Sequence, residues 1–334
     1  MNNLKDRVTI YEVAKASGVS LATVSRVINK QNNVTQKTKD KVNATIARLG
    51  YKPSALAQAL ATNRTTNIGV VIPSANYVYI SNLLYGLTEV ARMKGFVISL
   101  FVTSRDASEA NKIVEKVITS HVDGAIIFDD ELDEKDIAKI SSYNVPTIVI
   151  NNNIVDEKIG CVYFGYEHLL KKIIAAVLTR EKNKKNIVFL NVENGGRLLY
   201  RMERTCHEIH DLLNKKYVSI ACDDSYTKTY EYFKKYFKTH HSGYFIAYRD
   251  SIAEAVVNAA KESGLKVPDD IEILSIIGTK YANIVRPTLS NMHIDMIEVG
   301  TKAINMLNGL IEHKLVNKAY KFESVYIKKE STLD

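Results

Sequence analysis

The 334-residue chain has only three cysteines, Cys161, Cys206 and Cys222, far apart and odd in number. Neither a disulfide framework nor a zinc site is suggested by that pattern, and a reducing cytoplasm is the expected setting. No apolar run approaches the roughly eighteen residues of a membrane span. No secretory h-region follows the charges of the opening MNNLKDRVTIYEV. Walker A, dinucleotide and nucleophile-elbow motifs are missing as well. His207-Glu208-Ile209-His210 falls one residue short of the His-Glu-x-x-His spacing of a metalloprotease helix and reads as an exposed polar face. Asp129-Asp130 and Asp223-Asp224 follow strand-like runs, where acids cap helices more often than they hold metal. No catalysis, cofactor or metal is expected.

Acid is scarce at one end of the chain. Residues 1–64 hold eleven Lys or Arg against Asp6, Glu12 and Asp40, a net +8 that equals the charge of the whole chain. The remaining 270 residues are therefore neutral. Such asymmetry points to a polyanion-binding module joined to a neutral domain.

Local signals agree. Thr9-Ile10-Tyr11-Glu12 is a capping box, and Gly18 stops the helix it starts. Ser20 can cap a second helix whose Val24, Val27 and Ile28 face the first. Thr35 can cap a third, through Val42, Ile46 and Leu49, closed by Gly50. Two short helices around a tight Gly turn describe a helix-turn-helix reader. The outer face of the second helix offers Leu21 and Ala22 for thymine methyls, Arg26 for a guanine edge or phosphate, and Ser25 and Asn29 for phosphate oxygens. The helix starts at Ser20 and Thr35 add backbone amides.

VTIYEVAKASGVSLATVSRVIN, then NVTQKTKDKV, IARLGYKPSALAQALA and TTNIGVVIP, strongly resembles the N-terminus of the LacI/GalR family of bacterial transcription regulators. Within it, the likeness is to the catabolite-control branch, which has a small apolar pair where Leu21-Ala22 stands. The candidate DNA contacts are Tyr11, Ser20, Leu21, Ala22, Thr23, Ser25, Arg26, Asn29 and Thr35. The resemblance also implies that the eight-residue stretch Ser54–Ala61, too short to hold a helix alone in water, becomes a hinge helix on operator DNA. There Leu60 would wedge a minor-groove base step, and Ala57 would permit close approach to the dimer partner. Gln58 stands where many relatives have Arg, which removes a cation from that groove.

From Ile68 onward, short β-rich runs alternate with amphipathic helical ones, the pattern of parallel sheets covered on both faces. Ten strands are expected: Ile68–Ile72, Phe96–Val102, Gly124–Phe128, Thr147–Asn151, Cys161–Phe164, Ile187–Val192, Tyr217–Cys222, Tyr244–Tyr248, Ile271–Ile277 and Asn291–Ile294. The expected fold is α plus α/β. A three-helix domain (residues 1–52) is followed by a hinge (53–64) and a two-lobed sensor domain (65–330), which the resemblance implies to be of periplasmic-binding-protein type. The resemblance implies crossings between the lobes near residues 162 and 290, and a terminal segment that returns to the first lobe.

By the same resemblance, Arg201 and Asp250 are the candidate contacts for a small sugar-type effector in the cleft. Gly165 and Ile277 replace acids or amides frequent in relatives, which weakens that reading. Catabolite-control regulators respond to another partner, the seryl-phosphorylated phosphocarrier protein, and VRPTLS around Arg286 is similar to theirs. The expectation is a homodimeric regulator, most simply a repressor, binding a near-palindromic operator. Two rivals share parts of the pattern. A solute-binding receptor would need a signal peptide, and a nucleoid-type DNA coater needs only the basic end.

Overall fold

The computed structural model describes residues 8–29, 31–52, 64–103, 110–128, 132–182, 184–193, 195–314 and 317–333. The chain forms two compact units, residues 1–66 and 67–334. The first holds three helices, α1 (Ile10–Ser17), α2 (Leu21–Ile28) and α3 (Gln36–Leu49). Their apolar stripes meet in a core of Val13, Val24, Val27, Val42 and Tyr51, flanked by Ile10, Ala14, Ile28, Ile46 and Leu49. So small a core leaves little margin for loss. The expected hinge, with Ala57, Gln58 and Leu60, lies outside the described residues.

The second unit contains two six-stranded sheets. The first is built from β1 (Asn67–Ile72), β2 (Val97–Val102), β3 (Gly124–Ile127), β4 (Thr147–Ile150), β5 (Ile159–Gly165) and β11 (Ala319–Glu323). Its order is β11-β5-β4-β3-β1-β2, parallel throughout. The second is built from β6 (Ile187–Val192), β7 (Ser219–Cys222), β8 (Gly243–Arg249), β9 (Ile271–Ile277), β10 (Ser290–His293) and β12 (Val325–Ile327). Its order is β12-β10-β9-β8-β6-β7, with only β12 antiparallel. The helices are α4 (Val78–Lys94), α5 (Ala110–Thr119), α6 (Glu134–Ser142), α7 (Tyr166–Leu178), α8 (Gly196–Leu212), α9 (Tyr226–Tyr236), α10 (Asp250–Glu262), α11 (Tyr281–Ile284) and α12 (Met296–Ile311).

Strand alternation divides the first sheet's side chains between two cores. Ile68, Val70, Ile72, Ile126, Ile148 and Ile150 share a cluster with α4 and α12. Val71, Ile127 and Val149 pack on the opposite side with α5 and α6, through Val114, Val117, Ile137 and Ile140. Helices α4 and α12 approach closely because each contributes a glycine at the contact. A Cβ on Gly86 would lie 2.1 Å from the Ile297 carbonyl oxygen, and one on Gly300 would lie 2.3 Å from that of Leu83.

The chain passes between the sheets after β5, between β10 and α12, and again between β11 and β12. The last passage was not anticipated. The terminal segment does visit the first sheet, as β11, but then returns to the second. β11 and β12 escaped sequence reading because both are short edge strands: AYKFE is interrupted by Lys321 and Glu323, and VYI has only three residues, none of them buried. Beyond β12, Ser331 exchanges bonds with Ile273, its Oγ donating to the Ile273 carbonyl at 2.7 Å. The Leu333 amide donates to Glu272 Oε2 at 2.8 Å. Glu272 is fully buried, and its carboxylate also accepts from Arg180 (2.8 and 3.0 Å) and Lys185 (3.2 Å).

Candidate DNA interface and effector cleft

At the start of α1, the Thr9 backbone N–H donates to Glu12 Oε2 at 2.6 Å and the Glu12 N–H to Thr9 Oγ1 at 3.4 Å. The Thr9 backbone amide, followed by its hydroxyl, lowers the Glu12 pKa. Because the shift is downward, this cap is complete above the ordinary glutamate range and is lost as pH falls through it and below. Gly18 closes α1 with φ +62°, a left-handed conformation that disfavours side chains. Ser20 caps α2 by accepting from the Thr23 N–H at 3.2 Å, and Thr35 caps α3 through Thr38.

Val24 and Val27 take the buried side of α2. The opposite side carries Leu21, Ala22, Arg26 and Asn29, all exposed, with Ser25 half-buried between them. Asn29 Nδ2 donates to Ser25 Oγ at 3.3 Å, which fixes the amide beside the hydroxyl. The Ser20 and Thr23 hydroxyls are paired at 2.8 Å, so both are oriented before any ligand arrives. Tyr11, at 70% exposure, stands clear of the core, and Thr35 is exposed at the start of α3. The described candidate residues thus stay outside the small core while α2 is anchored from behind.

In the second unit, strands of both sheets end at a common cleft. It encloses about 440 Å³, within the range of small-molecule sites. One wall is a chain of edge-to-face rings, Tyr79, Phe128, Phe164 and Tyr166, with successive centroids 6.2, 6.3 and 5.8 Å apart. Burial raises the Tyr166 phenol's pKa, so it stays neutral. The polar lining includes Asn82, Asn151, Thr279, Asn283, Asn291 and Lys329.

Arg201 and Asp250 are not brought together here; each stands one step behind a lining residue. Arg201 Nη2 donates to Asn151 Oδ1 at 2.8 Å, and its Nε lies 3.3 Å from Glu167 Oε1. Asp250 is buried and accepts from the Thr279 backbone amide at 2.8 Å and from the Thr279 hydroxyl. Sequence reading missed the Asn and Lys lining; Asn151, at the end of an apolar strand run, was the one position with a signal. The two departures differ in kind. Ile277 lines the cleft. At Gly165 a Cβ would lie 2.3 Å from Glu323 Oε2 and 2.8 Å from Lys321 Cε, the ends of two exposed side chains of β11 that a larger residue would displace.

Beside the cleft, Tyr77 at the start of α4 reaches across to the second lobe. Its hydroxyl donates to Asp224 Oδ2 at 3.1 Å, and the Arg249 guanidinium lies 4.5 Å from its ring centroid while pairing with Asp224. The other motifs dissolve into packing. His207 pairs with Asp211 at 2.9 Å, whereas His210 is buried against the Cys206 carbonyl at 2.6 Å. Asp223 accepts from the Ser225 amide at 2.9 Å. Asp129 and Asp130 lie outside the described residues. The three cysteines are buried thiols whose pKa values burial raises. Among the described residues, no cluster of metal-ligating side chains occurs and no helix is long and apolar enough to cross a membrane.

Residues 9–54 match bacterial regulatory proteins of the lacI family, and residues 181–332 match the periplasmic binding protein-like domain. Catabolite control protein A of Staphylococcus xylosus is 31% identical over 314 residues, covering 93% of this chain and 94% of its own. The lac repressor dimer bound to operator and the anti-inducer ONPF has the same fold, with a TM-score of 0.82 at 23% identity over 98% of this chain and all of that one. The transcription regulator CcpA of Lactococcus lactis superposes with a TM-score of 0.66 at 21% identity, over 81% of this chain and all of its own. The chain belongs to the lacI family of bacterial regulatory proteins, as a DNA-binding transcription regulator similar to catabolite control protein A and not an enzyme.

Proposed function

We propose that this regulator is cytoplasmic and, as a homodimer, represses carbohydrate or carbon-catabolite genes from a near-palindromic operator. The observation that carries this reading is the outer face of α2: Leu21, Ala22, Arg26 and Asn29 are exposed together while Val24 and Val27 are sealed behind them. Short apolar residues near a helix start suit thymine methyls, and an arginine farther along suits a guanine edge or phosphate. Tyr11, Ser20, Thr23, Ser25 and Thr35 complete the protein side of the contact, and Ala57 and Leu60 extend it into the minor groove. Two readers are needed because one covers too few base pairs. Exposed apolar residues in the second unit, Tyr85 and Met93 on α4 and Val97, Leu100 and Val102 on the edge strand β2, support pairing through that side.

Operator affinity is set by a population shift between lobe arrangements. A small effector in the cleft is one gate, with Arg201 and Asp250 orienting its polar lining. The seryl-phosphorylated phosphocarrier protein is the second, and it rests on the likeness to catabolite control protein A.

Arg26→Ala tests the interface. Binding titrations over single-base operator variants should show discrimination falling by about 1–3 kcal/mol at one base pair, with the others kept. An even loss across all sequences would make Arg26 a phosphate contact. Unchanged binding would remove it from the interface.

A further inference from the structure

Tyr77 stands where a helix start usually carries a short capping oxygen. It is the N-cap of α4, with extended backbone (φ −87°, ψ 130°), and its side chain makes no cap bond. Thr9, Ser20, Thr35, Asp133 and Asp295, at other helix starts, all do. The Tyr77 phenol is directed to the second lobe instead. Its hydroxyl donates to Asp224 Oδ2 at 3.1 Å, and its ring centroid lies 4.5 Å from the Arg249 guanidinium.

Asp224 follows β7 and Arg249 ends β8, so the ion pair between them belongs wholly to the second lobe. Arg249 is buried, and burying a guanidinium is costly unless its charge is paired and its faces meet suitable partners. Asp224 supplies the charge, the Tyr248 ring lies 5.8 Å away, and Tyr77 adds a second ring from across the cleft. Separating the lobes would take that ring from Arg249 and a hydroxyl donor from Asp224. Two further arginines of the second lobe, both on α8, also reach across. Arg201 donates to Asn151 Oδ1 at 2.8 Å, and Arg197 Nη2 donates to the Leu132 carbonyl at 3.4 Å. Tyr77, Leu132 and Asn151 come after β1, β3 and β4, three neighbours in the first sheet, so the lobes are tied at adjoining strand ends.

Building on the reading of operator affinity as a population shift between lobe arrangements, we propose that Tyr77 is a latch. Bound to Asp224 and Arg249, it holds the two lobes closed through the chain's own side chains, without help from a ligand. A gating ligand or partner then acts on lobes that are already joined.

The test is the distance between the lobes in the full chain, read by pulsed electron paramagnetic resonance. Spin labels go on Lys135→Cys in α6 and Glu231→Cys in α9, both exposed positions. Cys161, Cys206 and Cys222 are buried, which directs labelling to the introduced pair. Dilution with unlabelled chain leaves only distances within one chain. With no small molecule added, a single short distance is expected. Tyr77→Ala should lower the ratio of closed to open chains by about tenfold or more and bring a second, longer distance into view. Tyr77→Phe, which keeps the ring but not the donor, should fall between the two, and melting curves check that both variants fold. A wild type that already populates the longer distance overturns the latch, and so does a Tyr77→Ala distribution identical to wild type. Operator affinity of the same variants, on a duplex selected from random sequences, keeps the two readings apart. If Tyr77→Ala opens the lobes and leaves affinity unchanged, the latch stands and the population-shift reading falls. If affinity changes while the distances do not, the latch falls.

Discussion

Raising salt from 50 to 200 mM should weaken operator binding by roughly 10³- to 10⁵-fold, the loss that accompanies six to ten phosphate contacts. The expectation follows from where the charge sits. Residues 1–64 carry the full net +8, and the proposed dimer would present that charge twice. Arg26 is exposed on the outer face of α2, and Lys37 and Lys41 are exposed on α3. Among basic residues of this unit, none of these has an ion pair to a carboxylate among the described residues, so they are available to displace condensed counterions. The slope of log affinity against log salt counts the phosphates neutralised, and Lys37→Gln should reduce it by about one unit. A slope near zero would mean that the basic face does not meet DNA.

Glu272→Ala should destabilise the second unit by about 3–5 kcal/mol, because it removes the buried carboxylate that Arg180 and Lys185 share. For a unit of this size that is a fall in melting temperature of roughly 6–20 °C. Side-chain exposure is 0% for Glu272, 4% for Lys185 and 14% for Arg180. The change also frees the Leu333 amide, which loosens the tail that Ser331 ties to Ile273. Glu272→Gln keeps the shape and one acceptor but not the charge, and should fall between wild type and Glu272→Ala. Calorimetry on the full chain should show the effect in the transition of the sensor unit, with the three-helix unit unmoved. A loss below about 1 kcal/mol would mean that the two cations relax into solvent and that the buried group contributes little.

The reader was legible in the sequence because its signals are local. A capping box at Thr9–Glu12, a left-handed stop at Gly18 and apolar residues at helical spacing each need fewer than ten residues to recognise. The ten strands were legible for the same reason, with ends shifted by one or two residues: β5 begins at Ile159, and β7 begins at Ser219. The cleft was not legible at the level of atoms. Its lining comes from segments as distant as Asn82 and Lys329, and no local pattern announces their meeting. Resemblance selected Arg201 and Asp250, but here both side chains are committed to neighbours, Asn151 and Thr279, that face the cavity instead. β11 and β12 were hidden because an edge strand needs only a partner's free backbone, not a run of apolar residues.

The most direct test of the central claim is selection of operators from random duplexes by the full-length protein, with and without the seryl-phosphorylated phosphocarrier protein. A near-palindromic motif, with two half-sites about one helical turn apart, is the predicted result. Enrichment that needs the phosphorylated partner would identify that partner as the gate, and enrichment without it would leave the gate to the cleft. Recovery of duplexes with no shared motif would contradict the account.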